Sequence, residues 1–219
     1  MFNKTTFDAY ARQYGEYLQV KNPPLPYWYQ AQKEFQINWD PADLNTGAML
    51  DKSIDESTDK WSSPINEAKR VLIAFCEINS DLLLAMFKDL FDEKKALDGR
   101  MDRFLFHLDL LLGEINQKKI IFPDHHHNKR IVSIYLSYHN PELYLPFEFS
   151  LFHEAMQNMK AIKIPEVYEI ERYYKICRII TRFLLENEHI SSYFNSNKVI
   201  MPNQLLAYDF MQYCLKTRI

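Results

Sequence analysis

Glycine is scarce in this chain, which has only Gly15, Gly47, Gly99 and Gly113 among its 219 residues. The Walker A loop and the dinucleotide-binding fingerprint both need glycines a few residues apart, because their backbone must pass close to phosphate groups. No two glycines of this chain lie that close together. The sequence therefore predicts that the chain binds no nucleotide through either motif, and we expect no cofactor.

Motifs of hydrolytic and acyl-transfer enzymes are absent as well. The chain has no G-x-S-x-G sequence, and no cysteine stands near a histidine along the chain. A nucleophile with an adjacent base is therefore not indicated. Paired carboxylates such as Asp51 with Asp55 fall in charged loops, where a solvated surface is the simplest interpretation. We expect no enzymatic activity from this chain alone.

Cysteines and long apolar runs are also few. Cys76, Cys177 and Cys214 are far apart, odd in number and embedded in apolar helical patterns, which favours buried thiols in a reducing compartment over disulfides or a zinc site. The N-terminal stretch lacks the apolar core of a signal peptide, and no run of apolar residues is long enough to cross a bilayer. We therefore expect a soluble, cytoplasmic protein with no membrane partner.

Apolar residues recur at helical spacing along most of the chain. Hydrophobic residues make up 47% and aromatic residues 15% of the sequence, which indicates a folded protein with a sizeable core. Asp40-Pro41, Ser63-Pro64 and Asn79-Ser80-Asp81 each indicate the start of a helix. The pattern predicts a mainly α protein of about nine helices, with a short extended segment near 131–146. Within it, periodicity alone leaves residues 131–138 open as a helix or a buried strand.

The domain organisation follows from the scarcity of linkers. The polar loop at 51–62 is the one candidate linker, and the sequences on both sides of it have the composition of one core. We predict one helical domain over residues 1–219. The alternative is an N-terminal subdomain over 1–55 that packs on a helical body over 63–219.

A local basic cluster is the best candidate for a functional surface. The net charge of −3 gives no general attraction to nucleic acid, so DNA binding needs a local patch. Side chains and free backbone N–H groups near the start of a helix can hold phosphates. We predict DNA contacts from Lys118, Lys119, His125, His126, His127, Lys129 and Arg130. The alternatives are a solvated connector or, for the three histidines, a metal site, although no second ligand motif accompanies them.

Four aromatic residues near the second predicted helix form the other candidate site: Tyr27, Trp28, Tyr29 and Trp39. Exposed aromatic rings can stack on bases, and enzymes that flip bases hold them in such pockets. We predict base stacking by Trp28, Tyr29 and Trp39. The alternative is packing of these rings in the protein core.

Several stretches of the chain carry a family resemblance. They are NWDPADLNTGAML at 38–50, FKDLFDE at 87–93, GRMDRFLFHLDLLL at 99–112, HHHNKRIVSIYLSYHNPELYLPFEFSLF at 125–152 and LLAYDFMQYC at 205–214. Together they resemble the N-terminal region that precedes the AAA+ GTPase module in McrB-like proteins of modification-dependent restriction systems. The resemblance covers half to two-thirds of the chain.

The resemblance implies a division of labour. A GTP-binding motor would follow residue 219, a separate nuclease subunit would cut, and the N-terminal region would recognise modified bases in DNA. We therefore expect a specificity or sensor module of an anti-phage restriction protein that recognises modified DNA. The alternative is a protein-interaction or sensor module of the same system without DNA contact, which the aromatic content and the balanced charge also suit.

Overall fold

The computed structural model describes residues 3–54, 62–117, 122–196 and 203–217, with the backbone alone for residues 62–64. These residues form ten α-helices and no β-strand, which confirms the mainly α prediction. None of the described helices combines the length and the apolar composition that crossing a bilayer requires. The helices are α1 (Lys4–Lys21), α2 (Tyr27–Asn38), α3 (Thr46–Ser53), α4 (Ser62–Leu90), α5 (Leu97–Gln117), α6 (Lys129–His139), α7 (Phe149–Asn158), α8 (Ile170–Leu185), α9 (Glu188–Ser196) and α10 (Leu205–Lys216).

Helix α4 changes direction at the position where the sequence indicated a new helix start. Asn79 has non-helical backbone angles, with φ −159° and ψ 84°. Its side-chain oxygen accepts a hydrogen bond from the Leu82 N–H at 2.9 Å, as an N-cap residue does. The predicted restart at Asn79-Ser80-Asp81 is therefore confirmed.

The start of α3 differs from its prediction. The helix begins at Thr46, after the N-cap Asn45, and not at Asp40-Pro41. The Asp40 and Asp43 side chains each accept a hydrogen bond from the backbone N–H two residues further on, at 2.9 and 2.8 Å. These aspartates stabilise turns, a competing use of the same side-chain chemistry that caps helices.

The segment that could be a helix or a strand belongs to α6. Asn128 caps this helix by accepting a hydrogen bond from the Ile131 N–H at 3.1 Å. Residues 131–138 are all buried, so their apolar pattern has no exposed side from which a helical period could be recognised. The buried Ser133 and Ser137 hydroxyls donate to backbone carbonyls three residues earlier, which satisfies them. Of the segment near 131–146 that was predicted to be extended, residues 131–139 are therefore helical, and residues 140–146 lie outside a helix.

The chain's internal contacts divide it into two units, residues 26–140 and residues 1–25 together with 141–219. In the first unit, α4 packs against α3 and α5, while α2 packs against α3 and α6. Its core is rich in aromatic rings, including Phe35, Phe87 and Phe104, with Phe87 and Phe104 edge to face at 5.0 Å between centroids. The single domain over 1–219, with its alternative boundary at 55, stays a prediction.

In the second unit, α1 packs against α9 and α10, and α10 packs against α7 and α8. Helix α1 buries one apolar face, with Phe7 and Tyr14 both in edge-to-face contact with Phe210. Helix α8 likewise buries one apolar face, which includes Ile170, Tyr173, Cys177, Ile180 and Leu184. The opposite side of α8 therefore lies toward solvent.

Candidate nucleic-acid interface

The histidine-rich segment before α6 is a hydrogen-bonded turn. Asp124 accepts a hydrogen bond from the His126 backbone N–H at 2.9 Å, and this bond is the main reason that the pKa of Asp124 is lowered. His126 has a φ of 59°, in the left-handed region, and its side chain is half-exposed. The turn brings Asn128 into position to cap α6.

His125 and His127 are buried, with 7% and 8% of their surfaces exposed. The His127 backbone N–H donates to His125 Nδ1 at 3.0 Å, which leaves the proton of His125 on Nε2, 3.2 Å from a carboxylate oxygen of Asp109. His127 Nδ1 donates to the His125 carbonyl oxygen, and its Nε2 accepts from the Tyr135 hydroxyl at 3.0 Å. All four ring nitrogens therefore have partners within the protein.

Burial determines the charge of His127. It lowers the pKa of His127 to about 3 and raises the pKa of Tyr135 far above its ordinary value. His127 is therefore neutral at physiological pH. As placed here, it offers a phosphate group neither a positive charge nor a free N–H.

Lys129, the first residue of α6, is held by two carboxylates of α5. Its ammonium group binds Asp98 and lies 3.0 Å from a carboxylate oxygen of Asp102. Burial alone would lower the pKa of Lys129, but the hydrogen bonds to Asp98 and Asp102 raise it. The lysine is therefore charged, and the two aspartates offset that charge locally.

The structure thus brings five of the seven predicted cluster residues to one place, in the turn and the first residues of α6, and gives most of them intramolecular partners. His125, His127 and Lys129 hold the turn and α6 against α5, and Arg130 is half-buried. Lys118 and Lys119 lie outside the described residues. DNA contact by the cluster stays a prediction.

The predicted stacking residues are packed among other rings. Trp39 lies flat on Phe35, with 5.2 Å between centroids and 11° between ring planes, and its centroid is 4.9 Å from that of Phe87. Tyr29 is 8% exposed and Trp28 is half-buried. The arrangement matches the alternative of core packing, and base stacking by Trp28, Tyr29 and Trp39 stays a prediction.

A second set of basic side chains lies on the solvent side of α8. Lys175 and Arg182 are exposed and Arg178 is half-buried. Their spacing of three and four residues puts them on one face, opposite the apolar face of the helix. We call Lys175, Arg178 and Arg182 the α8 stripe.

The α8 stripe has no carboxylate partner among the described residues. Arg178 donates to the Leu143 carbonyl oxygen at 3.3 Å, and the Arg182 guanidinium lies 5.5 Å from the centroid of the Phe183 ring. Both contacts are made by guanidinium groups, but neither partner is negatively charged, so the charges stay unneutralised. Lys129, by comparison, binds two aspartates. The stripe can therefore bind an anion without first breaking an ion pair.

The α8 stripe was not predicted from the sequence, because its basic residues are not adjacent along the chain. A detectable pattern exists, since positions i, i+3 and i+7 on the polar side of a strongly amphipathic helix are all basic. Residues 160–182 carry six basic residues against three acidic ones, in a chain of net charge −3. The charge on each face of the predicted helix is therefore the signal that indicates the stripe.

Comparison with known proteins finds no family model, no curated protein and no solved structure that matches this chain. The McrB-like resemblance therefore stays a prediction that rests on the stretches quoted above.

Metal and thiol chemistry find little support in the described residues. No group of three or more His, Cys, Asp and Glu side chains there could hold a metal ion. Burial raises the pKa of the Cys76 thiol to about 11, and it raises the pKa values of Cys177 and Cys214 as well. These thiols are protonated at neutral pH, whereas a nucleophilic cysteine must be a thiolate.

A groove of about 730 Å³ lies between α3 and α4. Its lining includes the carboxylates of Asp51 and Glu77, together with Cys76 and Gly47, and no basic residue. Because like charges repel, this groove does not suit a phosphate-bearing ligand. Among the histidine-rich turn, this groove and the α8 stripe, the stripe is the one whose positive charges have no carboxylate partner among the described residues.

Proposed function

We propose that this chain is a nucleic-acid-recognition module, the specificity or sensor part of a McrB-like restriction protein, and that the α8 stripe contacts the phosphate backbone of DNA. The observation that carries the proposal is the stripe itself: three cations on one helix face, with no carboxylate partner among the described residues. Most nucleic-acid affinity comes from such contacts, which are independent of sequence.

The spacing of the stripe fits a phosphate backbone. A helix rises 1.5 Å per residue, so Lys175 and Arg182 are separated by roughly 10 Å along the axis of α8. One DNA strand advances about 3.4 Å per nucleotide, so this distance corresponds to roughly three phosphates. Lysine and arginine stems are long enough to adapt to the curvature of the backbone.

The McrB-like resemblance supplies the setting of the proposal. In that setting the chain senses DNA that contains modified bases in the cytoplasm, and it has no catalytic activity of its own. A GTPase motor downstream of this region and a nuclease subunit would act after recognition. The basic residues at 118–130 remain a second, separately testable phosphate-binding surface.

The test is the affinity for DNA duplexes with and without modified bases, measured by fluorescence anisotropy. The stripe variant combines Lys175→Gln, Arg178→Gln and Arg182→Gln. The matched control removes the same charge at Lys33, Lys52 and Lys88, which are exposed on other helices. We expect the stripe variant to lose at least tenfold in affinity and the control to lose much less. Equal losses in the two variants would show that only net charge matters.

The second set of variants separates the two basic surfaces. Lys118→Gln, Lys119→Gln and Arg130→Gln test the predicted cluster without removing Lys129 from its two aspartates. A loss confined to this variant would move the DNA contact from α8 to the segment at 118–130. If native protein fails to bind duplex at low salt, the DNA proposal fails.

A protein-interaction or sensor module without DNA contact is the second candidate, and one observation favours it. Phe106 and Leu110, one turn apart on α5, are 58% and 47% exposed. Exposed apolar residues at this spacing are typical of helix-docking surfaces. Light scattering of native protein and of a Phe106→Gln/Leu110→Gln variant tests it. An assembly that dissociates in the variant supports this candidate, and a native monomer that binds no partner protein counts against it.

A further inference from the structure

The loop that leads into α8 presents apolar side chains to solvent. Ile162 is 92% exposed, Val167 is 54% exposed and Tyr168 is 76% exposed. Tyr168 is the most exposed aromatic residue of the described chain. An aromatic ring that is this exposed can contact a ligand directly.

Hydrogen bonds hold the first end of this loop. The Lys160 N–H donates to the Gln157 carbonyl oxygen and the Ala161 N–H to that of Met156, both at 2.9 Å. This is the Schellman arrangement that ends a helix, here α7. Its left-handed position, where glycine is usual, holds Lys160 with a φ of 52°.

The second end of the loop is held as firmly. The Glu166 backbone N–H donates to the Glu169 carboxylate at 2.9 Å, and the Glu169 N–H donates to the Glu166 carbonyl oxygen at 2.9 Å. Arg172 binds the same carboxylate of Glu169 at 3.1 Å. Val167 and Tyr168 lie between Glu166 and Glu169, whose hydrogen bonds to each other close a turn. The two exposed side chains are therefore part of an ordered turn.

The charges around the turn indicate the class of partner. Lys160 and Lys163 precede Tyr168 in the loop, and Lys175, the first residue of the α8 stripe, follows it by seven residues. A ligand that combines phosphates with flat apolar rings matches this set of side chains. Single-stranded or locally opened nucleic acid is such a ligand, because its bases are free to stack on aromatic rings.

A membrane surface fits this turn less well. Glu166 and Glu169 flank the exposed pair Val167 and Tyr168, and carboxylates are repelled by anionic lipid head groups. A carboxylate can lie close to a base, because base edges carry hydrogen-bond donors, such as the amino group of cytosine, from which it can accept.

We propose that Tyr168, supported by Ile162, stacks on an unpaired or flipped-out base of a nucleic acid whose phosphates lie along the α8 stripe. This inference rests on the proposed function and adds the group that contacts the base. It also moves base stacking from the packed rings of Trp28, Tyr29 and Trp39 to an exposed ring in an ordered turn.

The experiment measures binding to a short single strand, to a duplex with one unpaired base and to the fully paired duplex. The native protein is compared with Tyr168→Ala, Tyr168→Phe and Ile162→Ser. Stacking on an aromatic ring changes affinity by about five- to a hundredfold per base, so Tyr168→Ala should weaken binding to the first two ligands by that factor. Tyr168→Phe keeps the ring and should bind like the native protein, while Ile162→Ser should show a smaller loss.

Two further readouts separate stacking from a structural effect. Tyr168→Ala removes no charge, so the salt dependence of binding should stay the same. A 2-aminopurine at the unpaired position should lose fluorescence on binding to native protein and to Tyr168→Phe, and keep it with Tyr168→Ala. Unchanged melting temperatures confirm that the variants are folded.

The outcomes distinguish this inference from the proposed function. If the α8 stripe variant loses affinity while Tyr168→Ala binds every ligand like the native protein, the stacking role is wrong and the DNA proposal stands. If the native protein binds none of the ligands, both are wrong. Binding of native protein to phosphatidylserine vesicles that Tyr168→Ala abolishes, with nucleic-acid binding unaffected, would overturn the inference in favour of a lipid surface.

Discussion

Replacing His127 by asparagine should change how the stability of the 26–140 unit depends on pH. Burial holds the pKa of His127 at about 3, against 6.5 for a free histidine. The unfolded chain therefore takes up a proton as the pH falls through about 6.5, while the folded chain does not until about 3. Protonation of His127 therefore leaves the unfolding free energy unchanged above about pH 6.5, and it lowers that free energy progressively as the pH falls from about 6.5 toward 3.

The size of this loss of unfolding free energy follows from the difference between the two pKa values. Each pKa unit corresponds to about 1.4 kcal/mol, so lowering the pH from about 6.5 to about 4 should remove roughly 3 kcal/mol of unfolding free energy through His127 alone. Carboxylates with lowered pKa values, such as Asp89 and Asp124, add to the acid lability of the chain. The informative quantity is therefore the difference between native protein and variant.

Asparagine suits the test because its amide N–H₂ can replace the donor at Nδ1 that binds the His125 carbonyl oxygen. It leaves the Tyr135 hydroxyl without its acceptor, which should cost about 1 to 3 kcal/mol at neutral pH. It does not titrate, so the variant should lose roughly 3 kcal/mol less than the native protein between neutral pH and about pH 4.

Urea unfolding followed by tryptophan fluorescence is the assay, because all three tryptophans of the chain, Trp28, Trp39 and Trp61, fall within residues 26–140. His126→Asn is the matched control, since His126 is half-exposed and asparagine tolerates its left-handed backbone. The control should follow the native pH dependence. If His127→Asn also follows it, the buried, neutral state of His127 is refuted.

Four substitutions test local backbone and packing, each measured as a change in urea midpoint. A Cβ at position 113 would have open space around it, so Gly113→Ala should stabilise α5 by about 0.5 to 1 kcal/mol. Gly15→Ala should instead destabilise the protein, because the new Cβ would lie 3.0 Å from the Cβ of His189. Asn128→Ala should cost about 1 kcal/mol through loss of the α6 cap. Lys160→Gly should stabilise by about 1 kcal/mol by relieving a left-handed lysine. A change of opposite sign contradicts the corresponding prediction.

Local patterns in the sequence predicted much of the helical structure. The apolar faces of α1 and α8 and the restart at Asn79 follow from spacing and capping chemistry, which act over a few residues. The start of α3 could not be predicted in the same way, because Asp40 can cap a helix or close a turn. The choice between these depends on what surrounds it.

The site was harder to predict than the helices. Histidine is compatible with both a solvated loop and a buried network, and the partners that bury His125 and His127 lie on α5 and α6. The grouping of residues 1–25 with 141–219 depends on contacts such as those of α1 with α9, which join residues far apart in the sequence. The α8 stripe was hidden because its charges share a helix face but are not adjacent along the chain.

The salt dependence of duplex binding tests the central claim most directly. The logarithm of the binding constant should fall linearly with the logarithm of the salt concentration, by about 0.9 for each phosphate that the protein neutralises. The α8 stripe variant should therefore show a slope smaller than that of native protein by roughly 3, while the charge-matched control at Lys33, Lys52 and Lys88 should keep nearly the native slope. Identical slopes for native protein and the stripe variant would contradict the account.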